Sequence, residues 1–402
     1  MAVSQLSTAR GLESRLDPLM RIGRTSAGTT RLAWSAEQQA SESWFREQAQ
    51  GLGLRVEVDS AGNLWARPNE DPPWWAIGSH LDTVERGGSF DGALGVAAAF
   101  EVVARTSARL AVISFADEEG ARFNTPTFGS RALTGDLNLP DVLARSDRDG
   151  TTLAEAMTQF GVDPSALDAA QDWLPRLHGF VEIHVDQTTE LAETHQPIGL
   201  ITAAVARLRL EVVLGGQADH AGATAIGKRR DALAAAARLI VASEEAAAAE
   251  PAMVATATRM EIDPNQLTTV ARGVRLWLDA RAPEQASIHR WLSGIREQLV
   301  LIERRLGVST DHWVRSHSHR IEMDQRLVAR LEAIARRREL DPPRMLSFAG
   351  HDACVLARRL PTAMVMVRNE SGISHAPEEA SRNADAADAI ELVAALAEQD
   401  WR

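Results

Sequence analysis

Between residues 80 and 375 the chain repeats one device in five separate places: a histidine or carboxylate set directly after an apolar run or among glycines. His80-Leu81-Asp82 follows Trp74-Trp75-Ala76-Ile77-Gly78-Ser79, and Asp91 sits in Gly87-Gly88-Ser89-Phe90-Asp91-Gly92. Glu118-Glu119-Gly120 closes the apolar run 110–115, His184 follows 180–183, and His375 lies in Gly372-Ile373-Ser374-His375-Ala376-Pro377. Such residues serve one purpose together only in a fold that gathers strand ends along one edge, as open α/β sheets do. Imidazoles and carboxylates in that mixture suit borderline-to-hard divalent cations.

The local patterns support that architecture. Periodicity and a serine start signal predict a helix over 35–52, and strands are expected at 54–58, 64–67 and 74–78. A small-residue helix over 92–108 and a buried strand over 110–115 follow. From 207 the order changes to strand 208–214, helix 228–249, strands 253–262 and 274–280, helix 284–305 and strand 309–315, a split β-α-β unit. The α/β pattern resumes with helix 325–337, strand 363–367 and a last helix from 384. The reading is a catalytic domain over 1–206 and 320–402, interrupted by a domain over 207–319, as befits a chain of 402 residues.

Composition narrows the function. A net charge of −12 without a clustered basic face argues against nucleic acid and anionic membranes. The single cysteine, Cys354, excludes an internal disulfide framework and reads as a small buried hydrophobe. No leader, apolar span, P-loop, G-x-S-x-G elbow or H-E-x-x-H helix is evident, so the cytoplasm is the expected compartment. With no tyrosine, acid–base work falls to His, Glu and Asp.

Chemistry can be read into the motifs. In an extended segment Asp82 and His80 share a side, so the Asp82 carboxylate is expected to hold the imidazole. Asp91 on its glycine turn is able to bridge two ions. Of the adjacent Glu118 and Glu119, one would ligate while the other takes a proton from water. A second cluster, Asp219-His220-Ala221-Gly222 with Arg229, Asp231 and Arg281, carries a histidine suited to polarising a carbonyl and an arginine suited to a carboxylate.

These motifs resemble the N-carbamoyl-L-amino acid hydrolase, allantoate amidohydrolase and β-ureidopropionase family, a branch of the dinuclear-metal aminoacylase and carboxypeptidase superfamily. The likeness continues through Glu182-Ile183-His184, His220-Ala221-Gly222, Asp279-Ala280-Arg281, Gly350-His351-Asp352-Ala353 and Gly372-Ile373-Ser374-His375, in order along the chain. It implies a metal-dependent exopeptidase-like α/β catalytic domain with a mixed sheet and an inserted ferredoxin-like lid and dimerisation domain. It implies two divalent ions per subunit, zinc first, with manganese, cobalt or nickel as alternatives. His80, Asp91 and His184 would hold one, and Asp91, Glu119 and His375 the other. Glu118 becomes the base, with Asp82 behind His80, and His220 the transition-state histidine reaching the partner subunit of a homodimer. Arg281 becomes the residue for the substrate carboxylate, with Gln187, Thr268, Phe348 and Gly350 also expected near substrate.

Departures from the family pattern fall around the substrate. The family's asparagine thirteen residues before the arginine is Thr268, its Ser-Gly-Ala-Gly-His-Asp is Ser347-Phe348-Ala349-Gly350-His351-Asp352, and Thr188-Thr189 follow Gln187. The expectation is hydrolysis of a linear C–N bond in a small N-carbamoyl or ureido acid. An aminoacylase or dipeptidase-like activity with the same metals is the alternative, and a non-catalytic binding protein gives no reason to keep Glu118 beside every ligand.

Overall fold

The computed structural model describes residues 3–399. The chain divides into two compact units, one built from residues up to Ala203 and from Glu322 onward, the other from Ala204–Ile321. Among the described residues no helix is long and apolar enough to cross a membrane.

The first unit is organised on a nine-stranded mixed sheet. Four parallel strands form its centre in the spatial order Thr362–Val367, Leu177–Val185, Trp74–His80 and Leu110–Phe115. Antiparallel strands flank them: Leu64–Arg67 then Arg55–Val58 on one side, Ile198–Ala204 on the other. Leu110–Phe115 and Thr362–Val367 are buried at every position, which explains unbroken apolar runs in place of alternation. The Ala93–Arg105 helix packs on the central strands through small residues. Its Gly95 comes so close that a Cβ would lie 2.2 Å from the Ile183 carbonyl oxygen. The helices Val3–Met20 and Asn383–Ala397 complete the core on that face, where Leu12, Leu16, Ile390 and Leu396 are buried.

Ser35 caps the Ala36–Gly51 helix by accepting from Gln38 N, as the serine start signal indicates. The helices Val3–Met20, Leu153–Phe160 and Pro164–Arg176 and the strand Ile198–Ala204 are absent from the sequence expectation. Cys354 is buried, and burial pushes its thiol up to about 12, which leaves it an inert apolar group. Where the chain departs and re-enters the first unit, Met323 N donates to Thr202 O at 2.9 Å.

The second unit carries an antiparallel sheet in the order Val254–Asp263, Gly273–Ala282, Ala206–Gly215, Ser309–Ser318. The helices Ala232–Ala248 and Gln285–Leu306 bury Ala235, Leu239, Trp291 and Ile295 against Leu208, Leu210, Val212 and Leu276. Connectivity β-α-β-β-α-β with all neighbours antiparallel is the split β-α-β arrangement.

Candidate metal centre

All four central strands of the first unit deliver polar side chains at their carboxyl ends. His80 closes Trp74–His80, His184 lies one residue from the end of Leu177–Val185, Glu118 and Glu119 follow Leu110–Phe115, and His375 follows Thr362–Val367. Asp91 arrives on the turn before the Ala93–Arg105 helix. That turn passes directly over an imidazole: a Cβ on Gly92, at φ +65°, would lie 2.5 Å from His80 Cε1. Only glycine satisfies both the positive φ and the contact.

Asp91 is the centre of the cluster. Its Oδ1 stands 3.3 Å from His80 Nε2 and 3.1 Å from His184 Nε2. Its Oδ2 stands 3.3 Å from His375 Nε2, which in turn lies 3.5 Å from Glu119 Oε2. One donor atom from each of His80, Asp91 and His184 falls within 4.8 Å of the others, and the same holds for Asp91, Glu119 and His375. Two groups able to hold a cation therefore share Asp91. The far ring nitrogens fix the tautomers: His80 Nδ1 donates to Asp82 O at 3.0 Å and His184 Nδ1 to Val185 O at 2.9 Å. Both Nε2 atoms then face the cluster, where loss of a proton frees the lone pair that a divalent ion requires. His375 adopts φ +58°, an uncommon backbone conformation for a residue with a side chain.

The Asp82 carboxylate does something other than expected. It lies 3.7 Å from His80 Nδ1, while its two oxygens accept from Glu118 N at 3.1 Å and Glu119 N at 3.0 Å. The strand ends at His80, so two-residue alternation stops there. The carboxylate turns instead to the neighbouring strand end, where it orients the Glu118-Glu119 backbone.

Charge in the cluster is heavily one-sided. Burial pushes Glu118 well above the carboxylate range, with Asp352, Glu119 and Asp82 adding to it and His80 opposing. Burial and the Asp91 charge push Glu119 up to about 7. Burial pulls His184 down, but Asp91, by charge and hydrogen bond, and Glu182 outweigh it and push the imidazole up to about 9. Carboxylates this crowded and buried stay ionised together at neutral pH only with cations among them. Their N and O donor set fits divalent metal ions, and His80, Asp91, His184, Glu119 and His375 are the residues that would hold them. Glu118 Oε2 remains 3.9 Å from His80 Nε2 and belongs to neither group.

Sequence reasoning missed several residues around the cluster. Glu379 Oε1 accepts from Phe90 N and Asp91 N. Glu182 accepts from Ser79 Oγ at 2.7 Å and Ala353 N at 2.8 Å. The His351 ring packs edge-on to His184 at 4.7 Å. The motifs around Glu182 and His351 gave a signal, and nothing in the sequence marked Glu379. Gln187, expected near substrate, directs its Nε2 to Asp91 Oδ2 at 3.0 Å. Phe348 is half-buried and Gly350 exposed.

In the second unit His220 and Thr268 come together: Ala221 N donates to Thr268 O at 2.9 Å. His220 Nδ1 accepts from both Gly222 N and Ala223 N at 3.0 Å, so the ring proton of this exposed residue resides on Nε2. Arg229 holds this loop by donating to Thr224 O and Ala221 O. Arg281 rests on Asp279, which also accepts from Arg209 Nε at 2.8 Å.

The chain matches peptidase family M20/M25/M40 over residues 76–399. It belongs to that family. An N-carbamoyl-L-amino acid amidohydrolase of Geobacillus stearothermophilus is 34% identical over 400 residues, covering 95% of this chain and 96% of that protein. An allantoate amidohydrolase of Escherichia coli is 32% identical, with 96% and 97% covered. The crystal structure of a hydantoinase/carbamoylase family amidase from Burkholderia multivorans superposes with a TM-score of 0.83 at 28% identity, covering 97% of this chain and 98% of that one. The M20 family is metal-dependent, and the shared Asp91 with its two flanking groups gives this member a matching donor set. The resemblance read from the motifs is thus shown, and with it the mixed α/β fold class.

Proposed function

We propose that this chain is a dinuclear-metal amidohydrolase, cleaving the linear C–N bond of a small N-carbamoyl amino acid or related ureido acid as a cytoplasmic homodimer. The observation that carries the reading is the Asp91 carboxylate shared by two cation-holding groups, with Glu118 buried beside them and in neither. The relatives' activities supply the substrate class. Two zinc ions are the favoured occupants; when bound they supply Lewis acidity at the scissile carbonyl and the attacking water.

The chain's own groups do the rest. Glu118, oriented through Asp82, takes a proton from the water and delivers it to the leaving nitrogen. His220, with its proton on Nε2, donates to the developing oxyanion of the partner subunit's substrate. Arg281, braced by Asp279, takes the substrate α-carboxylate in a forked contact. The domain over 207–319 serves as lid and dimerisation element. Ile226 and Leu267, close in sequence to His220 and Thr268, are 85% and 102% exposed, the kind of apolar surface a covering partner removes.

Thr268 and Phe348 favour a second reading, hydrolysis of N-acyl amino acids. A side-chain amide capable of binding a ureido group is absent at the first, and a ring stands at the second. The deciding experiment offers metal-loaded enzyme N-carbamoyl and N-acetyl forms of the same L-amino acids and assays ammonia and free amino acid together. Ammonia released in step with amino acid from the carbamoyl compounds supports the first reading. Amino acid from acetyl compounds alone sinks it in favour of the second.

A further inference from the structure

We propose that Glu379 is a positioning residue that clamps the Asp91 turn to the His375 loop and thereby sets the spacing of the two cation-holding groups. Its Oε1 accepts two backbone N–H bonds, from Phe90 at 2.8 Å and Asp91 at 3.0 Å. It follows His375 by four positions and is itself pinned there, because Glu379 N donates to Ala376 O at 3.1 Å. The loop between is closed by fully buried Asn369, whose side chain donates to Ile373 O at 2.9 Å and accepts from Ala380 N at 3.1 Å. One carboxylate thus ties two segments that are 288 positions apart.

The glycine turn makes room for this contact. A Cβ on Gly88 would lie 2.2 Å from Glu379 Oε1, so the carboxylate occupies the space that a side chain at 88 would take. Asp91 belongs to both groups, and displacing its backbone by a few tenths of an ångström disturbs both. Supporting residues of this kind are worth roughly 10–100-fold in metal affinity. The role resides in the two accepted N–H bonds, which an amide oxygen can also take.

The test measures zinc binding by competition with a chromophoric chelator on the full-length protein, with thermal unfolding of the metal-free form as control. Glu379→Ala and Gly88→Ala, which attack the contact from opposite sides, are each expected to weaken binding about 10–100-fold. Glu379→Gln should stay within about threefold of the parent. Parental affinity in Glu379→Ala overturns the proposal, and so does a Glu379→Gln as weak as the alanine variant, since charge would then be what matters. If Glu379→Ala fails to fold, Gly88→Ala and Glu379→Gln still decide it. The readout is independent of which substrate the enzyme cleaves.

Discussion

The two clusters of candidate site residues are held in opposite ways. In the first unit His80, Asp91 and His184 are at most 4% exposed, anchored at strand ends or on a turn that sterics fix, and each is hydrogen-bonded to a partner that sets its orientation. In the second unit His220 and Thr268 are exposed, and His220 keeps its orientation through bonds within its own loop. The buried donors His80, Asp91 and His184 are held by the sheet and the turn packed on it, which cannot shift without unpacking the core. Of the residues proposed to meet the substrate, His220 and Thr268 are carried on exposed loops.

The sharpest challenge to this contrast is to remove chemistry from the first cluster without touching its geometry. Glu118→Gln should lower kcat by about 10²–10⁴-fold with bound metal unchanged; full activity at full occupancy would remove Glu118 from the base role. The matching variant in the second cluster, His220→Ala, should lower kcat by about 10²–10³-fold, again at constant metal content. Mixed with Arg281→Ala protein, it should recover part of its activity if each active centre draws His220 from one subunit and Arg281 from the other. No recovery at any ratio argues against a shared centre.

A pH series sharpens the electrostatic half of the contrast. In the metal-free protein His184 sits at about 9, above its ordinary 6.5, so it carries a proton at neutral pH that an incoming ion must expel. Zinc affinity should therefore rise with pH, about tenfold per unit for each proton released, and level off above about 9. The sign for stability is opposite. The metal-free fold gains from the protonated imidazole below about 6.5 and loses that gain as pH rises through about 9. Calorimetric titration in buffers of different ionisation enthalpy counts the protons; none released near neutrality would contradict the charged pair. The smallest expected effect is Thr268→Asn, which should raise the carbamoyl-to-acetyl preference about fivefold, the worth of one hydrogen bond. An unchanged ratio would move specificity away from this position.

The sequence discloses the sheet and the cluster better than their supports. Leu110–Phe115 reads as a strand because burial on both faces demands a continuous apolar run, and the glutamates behind it stand out for that reason. The Leu153–Phe160 helix escapes notice although Thr152 and Glu155 form a complete capping box, because eight residues show too little periodicity to outweigh the loop-like flanks. Asp82 is found as a neighbour of His80 but misassigned, since alternation along one strand says nothing about the strand beside it. Glu379 is invisible for a related reason. Nothing in Pro377-Glu378-Glu379 tells which carboxylate turns inward, because its partners lie on a turn far earlier in the chain.

The Met323–Thr202 hydrogen bond, 2.9 Å long, has a practical meaning for protein engineering. The two severed ends of the first unit already meet, so the intervening segment is topologically a cassette whose exit and entry share one seam. A linker of a few residues spans such a gap, which makes the seam the place to exchange the intervening unit for that of another family member while leaving the nine-stranded sheet intact.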